Sequence, residues 1–332
     1  MAKIVLGMGT SHTPMLLASN ETLPRFVETD RNIKHRDKEG RPVTYGELLE
    51  KADPRLAHLV APANLVARQD KARTAARHLQ EVLSGAKLDA LVVMGDDQNE
   101  SYKEDCRPAF AIYYGETIRN SNEQHESYRT RFPEWYVENR QGFFERDTPR
   151  DYPVHSALAV HLIEQLMDAD FDMASSQTLP NGEGEGHAIA YVHRRVMEEA
   201  SPIPVVPIFL NTYYPPNQPR PRRCYAFGQA LRQAIESFSG EARVGIVASG
   251  GLSHFLVDEE FDRAILKACT DKDAAFLENL PRNKLHAGSS EILNWVALAG
   301  AVEHLDLDWF EYVPGYRTPA GTGTGLSFAS WT

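Results

Sequence analysis

The amino-acid sequence predicts an α/β protein: a central mixed or parallel sheet flanked by helices, in a single domain with long excursion loops. Three observations carry this. Short runs rich in Val, Ile and Leu recur at residues 3–8, 90–94, 203–210 and 244–248, each ending at small or polar residues. Unbroken apolar runs of that length read as strands buried on both faces. Stretches with apolar residues at three- to four-residue spacing, the helical period, lie between and beyond them at 69–83, 155–167, 188–199, 224–238 and 290–302. Alternation of the two kinds of segment is what a helix-covered sheet requires.

The connections follow from composition. Residues 211–221, Asn-Thr-Tyr-Tyr-Pro-Pro-Asn-Gln-Pro-Arg-Pro, are too rich in proline for regular structure, and residues 180–186 form a glycine-acid turn cluster. Residues 20–65 and 115–150 are polar and weakly periodic. They are expected to be excursions over the core, and the aromatic stretch 129–144 to be a possible lid. No linker, repeat or low-complexity tract interrupts the 332 residues, so 1–332 is expected to be a single domain.

Charge and cysteine usage narrow the function classes. With 35 basic and 46 acidic residues the net charge is −11, which argues against a nucleic-acid binder and against a polybasic membrane anchor. Cys106, Cys224 and Cys269 lie far apart with no CxxC pair, so a thiolate zinc site is not expected and reduced thiols are. The opening residues lack a signal-peptide pattern, and no apolar run approaches the length of a membrane span. A cytoplasmic location is expected.

Ligands in such sheets sit beyond the carboxyl ends of the strands. The four apolar runs are followed by Gly9-Thr10-Ser11-His12-Thr13-Pro14, by Gly95-Asp96-Asp97-Gln98-Asn99-Glu100, by Asn211-Thr212-Tyr213 and by Ser249-Gly250-Gly251-Leu252-Ser253-His254. Two histidines in similar small-residue settings and an acidic cluster on one rim could host a metal and a small ligand. Each also has a structural reading. A lone histidine after a strand is often a turn residue. Asp96-Asp97 could cap a helix, His187 could start one, and Glu291 could complement the dipole of the apolar helix behind it. The remaining histidines, including His58, read as surface or packing residues. The Gly7–Gly9 pair lacks the third glycine of a dinucleotide fingerprint, and no P-loop, G-x-S-x-G or H-E-x-x-H motif occurs.

Taken in order, G-T-S-H-T-P near the start, S-G-G-L-S-H in the middle and S-S-E-I-L-N-W later resemble the class III extradiol ring-cleavage dioxygenases. These include the protocatechuate 4,5-dioxygenase catalytic subunit and 2,3-dihydroxyphenylpropionate 1,2-dioxygenase. The T-Y-Y-P-P and R-R-C-Y-A-F-G stretch of residues 211–228 and the Phe171-Asp172-Met173 turn also look like the protocatechuate enzyme. Residues 316–325, Tyr-Arg-Thr-Pro-Ala-Gly-Thr-Gly-Thr-Gly, look most like the 3-O-methylgallate dioxygenase branch.

The resemblance implies a non-haem Fe(II) enzyme that inserts both atoms of O2 into a catechol- or gallate-type ring, on two histidines and one carboxylate. It implies His12 and Glu291 as metal ligands, His254 as the acid/base histidine and His187 as a second active-site histidine. The family's second histidine ligand falls at Gln98, with Asp97 and His58 as other candidates for that place. Family substrates are usually carboxylated, and Arg317 with Thr322 and Thr324 is the expected anchor. Thr13, Asn211, Tyr213 and Tyr316 are expected to line the pocket. Expected partners are a small aromatic vicinal diol, O2 and a second copy of the chain in a homodimer or higher homo-oligomer. Two other readings stay open: a divalent-metal hydrolase or lyase on the same scaffold, and a non-catalytic metal-binding relative.

Overall fold

The computed structural model describes residues 1–121, 132–180, 184–198 and 200–332. Its centre is one eight-stranded mixed sheet. In chain order the strands are β1 (Lys3–Thr10), β2 (Ala90–Asp96), β3 (Phe110–Tyr113), β4 (Ala174–Ser176), β5 (Val205–Leu210), β6 (Arg243–Ser249), β7 (Leu307–Tyr316) and β8 (Gly323–Trp331). Across the sheet they run β7-β8-β1-β6-β2-β5-β3-β4. The middle four, β1, β6, β2 and β5, are parallel neighbours. They are the four apolar runs of the sequence, and most of their residues are buried, as a sheet covered on both faces demands.

Register places the functional rim. Thr10 pairs with Ser249, Ser249 with Gly95, and Asp96 with Leu210. The four strands therefore end side by side, and the segments that follow them share one edge of the sheet.

Helices cover both faces. Pro221–Ser237 (α3), Glu259–Asp271 (α4) and Ile292–Ala301 (α5) pack with Ser156–Asp168 (α2) in one core that includes Leu162, Phe227, Ile265 and Trp295. The helix Pro62–Gly85 (α1) covers the other face, with Leu79 and Leu83 against Leu91, Val93 and Ile189. The helix expected over 188–199 is shorter: His187–Tyr191 is α-helical and Val192–Val196 is a π-turn.

The excursion over 20–65 is more ordered than its weak periodicity suggests. It holds short helices at Phe26–Asp30, Tyr45–Lys51 and Arg55–Leu59 and a small hairpin of His35–Arg36 with Pro42–Val43. Of the expected lid stretch 129–144, residues 129–131 lie outside the described residues, as does His125. The remainder forms the helix Glu134–Gln141.

The chain's last segment departs from expectation. Residues 316–325, expected as a substrate-anchoring tail, turn the corner of the antiparallel pair β7-β8, and β8 in turn pairs with β1. Arg317 and Thr322 both turn to Asp30. The Arg317 guanidinium donates Nε to Asp30 Oδ2 at 2.8 Å and Nη2 to Asp30 Oδ1 at 2.6 Å, and the Thr322 hydroxyl also donates to Asp30 Oδ2. All three side chains are buried. A fork of two parallel hydrogen bonds uses the geometry that a substrate carboxylate would need, and Asp30 takes it. Tyr316 likewise donates its hydroxyl to Glu259 at 2.9 Å. This clamp ties the helix Phe26–Asp30 to the sheet.

Removing one member leaves an uncompensated buried charge, so Asp30→Ala should lower stability by about 3–5 kcal/mol, read by denaturant unfolding. The double variant Asp30→Leu/Arg317→Met should recover most of that loss. Equal stabilities for wild type and Asp30→Ala would show the clamp to be idle.

Candidate metal and catalytic site

His12 follows β1 directly, and its ring orientation can be derived from its partners. The Ser249 hydroxyl lies 2.9 Å from His12 Nδ1 and 2.8 Å from the Ala188 carbonyl oxygen. A carbonyl only accepts, so the hydroxyl donates there and accepts the proton of Nδ1. Nε2 is thereby left with a lone pair. It is buried and has no hydrogen-bond partner among the described residues. Burial holds the ring at about pKa 3, so it is neutral at ordinary pH.

Glu291 closes a short 3₁₀ turn, Ala287–Glu291, just before α5. Its Oε2 accepts the backbone N–H of Gly251 at 2.7 Å, and its Oε1 lies 3.1 Å from His254 Nε2. Burial alone would raise this carboxyl. The His254 and His12 rings and the hydrogen bond from His254 outweigh burial and hold it at about 2.

Asp96 ends β2 in the same space. Its Oδ1 is buried without a partner among the described residues. Burial, then the nearby Glu291 charge, push its carboxyl up to about 7.

His187 begins a helix, with Nδ1 2.6 Å from Glu100 Oε2, and its ring meets that of His12 edge-on at 4.5 Å between centroids.

His12, Asp96, His187 and Glu291 each bring one ligand atom to within 4.8 Å of the others, and all four are buried. Bonds of about 2.0–2.2 Å put the donors of one ion roughly 3–4.4 Å apart, so a small contraction suffices. Two orphaned lone-pair atoms, His12 Nε2 and Asp96 Oδ1, belong to this group. A mixed imidazole and carboxylate donor set is the chemistry of a divalent first-row metal. The residues fit a metal ion.

His254 stands at the edge of this group. Its Nδ1 donates to the Leu252 carbonyl at 2.8 Å, which aims Nε2 at Glu291. Burial lowers its pKa, but the Glu291 charge and hydrogen bond reverse this, so the ring keeps a proton more firmly than usual. Gly288 packs against the ring so closely that a Cβ there would lie 1.8 Å from His254 Cδ2. The ring also lines a cavity of about 340 Å³ whose walls include Lys34, Arg36, Lys38, Lys284 and His286.

The structure thus brings His12, His187, His254 and Glu291 together. Gln98 departs from the expected ligand set. Its amide nitrogen donates to Asp96 Oδ2 at 3.1 Å and to Glu291 Oε1 at 3.3 Å, bridging the two carboxylates, while Asp96 and His187, the latter expected as an active-site histidine and not as a ligand, join His12 and Glu291 in the group that could hold a metal. Asp97 caps the next turn, accepting from the backbone N–H of Ser101 and of Tyr102. His58 is exposed on the helix Arg55–Leu59, outside the group. Thr13 uses its hydroxyl as a helix cap for Met15. Asn211 organises its own turn, with its amide donating to Tyr214 O and Asn217 Oδ1, and Tyr213 lines a neighbouring cavity rather than that of His254. Sequence reasoning missed Asp96 as a member of the group that could hold a metal, and Ser249 and Glu100 as the partners of the two rings. Asp96 had one signal: it lies two residues past its apolar run, at the carboxyl end of the strand.

Because Asp96 holds a proton up to about pH 7, well above the ordinary 3.8, a metal has to displace that proton. Metal affinity should therefore fall as pH drops below about 7. The dependence should be shallower in Asp96→Asn. Metal titrations of both proteins on either side of neutrality measure it, and a wild-type affinity independent of pH would refute the assignment. Gln98→Ala should cost less affinity than Asp96→Ala.

Known proteins share part of this sequence. Gallate dioxygenase from Pseudomonas putida strain KT2440 is 30% identical over 171 residues, which is 48% of this chain and 49% of the relative. The 2,3-dihydroxyphenylpropionate/2,3-dihydroxicinnamic acid 1,2-dioxygenase of Comamonas testosteroni is 33% identical over 101 residues, 30% of each chain. Its namesake from Cupriavidus necator is 35% identical over 102 residues, 31% of this chain and 30% of the relative. The chain thus spans about half the length of the first of these relatives and under a third of the others. The profile of one family, the catalytic LigB subunit of aromatic ring-opening dioxygenase, matches residues 122–326, which include His187, His254 and Glu291, and the chain belongs to that family.

Proposed function

We propose that this protein is a non-haem iron(II) extradiol dioxygenase acting on a vicinal aromatic diol. The observation that carries the reading is the meeting of His12, His187, Asp96 and Glu291 around one buried point, with His254 beside it and lining a cavity. Ferrous iron is the usual occupant of sites built from two histidines and a carboxylate with open positions. The similarity to gallate dioxygenase supports an aromatic diol as substrate. The reaction balances without an external reductant: both atoms of O2 enter the product, and one ring C–C bond beside a hydroxyl-bearing carbon breaks.

When bound, the ion supplies a place where the diol oxygens and dioxygen meet. The protein's own groups do the rest. His254, fixed through Leu252, presents Nε2 at the edge of the metal group. Once its Nε2 proton has been released, it takes a hydroxyl proton from the diol and later returns one to the opened product. His12 stays neutral and so remains a nitrogen donor throughout. His12, Asp96, His187, His254 and Glu291 are themselves buried, which strengthens each of these interactions.

Positive charge for an anionic ring substituent comes from the cavity mouth rather than from Arg317. Lys284 and Lys38 both face Asp258, at 2.9 and 3.2 Å, and Lys34 and Arg36 stand on the same wall. Lys34, Arg36 and Lys38 belong to the excursion, which thereby covers the site from within the same chain. We also assign a cytoplasmic location and a homo-oligomeric state; light scattering on the purified protein measures the latter. Among the described residues no helix is long and apolar enough to cross a membrane.

Anaerobic iron loading followed by oxygen-electrode assays on gallate, 3-O-methylgallate, protocatechuate, an aminophenol and a dihydroxypyridine tests the reading. Oxygen uptake with at least one is expected, and iron-replete protein that consumes none refutes it. His254→Ala should keep its metal and lose at least about 100-fold in turnover, whereas His12→Ala and Glu291→Ala should lose the metal too. Lys284→Met should raise KM for carboxylated substrates with little change in kcat.

A further inference from the structure

We propose that Glu100 is a positioning residue for the metal centre: its carboxylate fixes the His187 ring with the proton on Nδ1 and Nε2 turned to the ion, and Arg140 secures Glu100 from behind. The inference rests on His187 being one of the residues that hold the metal.

Glu100 is neither an aligned motif residue nor a ligand, yet it is 3% exposed. Its Oε2 accepts two hydrogen bonds from one residue, the backbone N–H of His187 at 3.0 Å and the ring Nδ1 at 2.6 Å. A carboxylate only accepts, so Nδ1 carries the proton and Nε2 keeps the lone pair. The double contact fixes the ring's rotation together with its tautomer, because backbone and ring are held by one oxygen. The other oxygen, Oε1, accepts from Arg140 Nη2. Arg140 is itself buried, on the helix Glu134–Gln141. Without that cation, Glu100 would be a third buried carboxylate near Asp96 and Glu291, and burial would favour its protonated form.

The neighbourhood is shaped for this approach. A Cβ on Gly186 would lie 2.7 Å from Glu100 Oε2, so the residue before His187 has to be glycine for the carboxylate to reach the ring. Asp97 caps the backbone of Ser101 and Tyr102 and so holds the turn that carries Glu100. The excursion over 115–150 therefore reaches the metal centre through Arg140, in addition to any part it plays as a cover.

Carboxylates that hold a ligating histidine in this way raise its basicity, and their loss typically costs about 10–100-fold in metal affinity. The test uses the full chain, stripped of metal and titrated with cobalt(II) alone at one fixed pH. Glu100→Gln keeps the volume and one acceptor but removes the charge. Expected are cobalt binding about 10–100-fold weaker than wild type and a shifted visible absorption of the bound ion, in a variant whose metal-free thermal unfolding remains cooperative. Arg140→Lys should lose less, in the same direction. Should Glu100→Gln fail to fold, Arg140→Lys decides by the same two readings. Wild-type affinity together with an unchanged cobalt spectrum in the deciding variant overturns the proposal, as does a wild type that binds no cobalt. Neither dioxygen nor an aromatic diol enters the measurement. A wild type that holds cobalt but, loaded with iron, opens no ring would refute the dioxygenase reading and not this one.

Discussion

Two carboxylates buried in one small space are the constraint around which the rest of this molecule is arranged. Asp96 and Glu291 are each about 1% exposed. Taken out of water, their charges repel each other, and desolvation disfavours both. The surroundings answer with donors. Gly251 gives a backbone N–H to Glu291, Gln98 gives its amide to both carboxylates, and His254 leans on Glu291. These donors leave Asp96 Oδ1 and His12 Nε2 without partners among the described residues. An excess of lone pairs over protons at a buried point is what a cation relieves. Without the ion, protons are the available substitute, which is why the Asp96 carboxyl sits so high.

The fold can carry this cost because the strained region is small and its supports are rigid. His12 and Asp96 come from adjoining ends of parallel strands, and Ser249 ends the strand between them. Glu291 comes from the turn before α5, whose Trp295 donates to the Gly250 carbonyl in the loop after β6. His12, Asp96 and Glu291 thus each lie within two residues of, or in, an element whose apolar core is among the most deeply buried in the protein. The excursion buries Leu23, Phe26, Tyr45 and Leu48 in two small clusters apart from the main core, so it needs a further attachment. The Asp30–Arg317 clamp provides it, deep enough that solvent does not screen the pair.

What was legible in the sequence was whatever leaves a local trace. Apolar runs showed the four parallel strands, and the small polar residues that end them showed the rim with His12 and His254. The Gly- and Thr-rich tail misled because it reads as loop, whereas β8 is a fully buried strand whose small residues let β1 and β7 lie against it. Arg317 misled for another reason. A guanidinium in a loop looks available for a carboxylate, and nothing local shows that Asp30, 287 positions away, already holds it. Gln98 was placed by motif alignment, but β2 continues through Asp96, so the side chain at the strand's last position reaches the metal group and the one two residues on folds back across it.

That exchange has a chemical consequence. The resemblance puts an imidazole where this chain has Gln98, and a site of two histidines and one carboxylate around a divalent ion carries one net positive charge. Here the donors available are two histidines and two carboxylates, so the same ion leaves the site neutral. Gln98 makes the second carboxylate tolerable, because an amide donor softens the repulsion between Asp96 and Glu291 without adding charge. Two carboxylates put one more negative charge beside a bound divalent cation than one does, and in a buried site of low dielectric that difference is large.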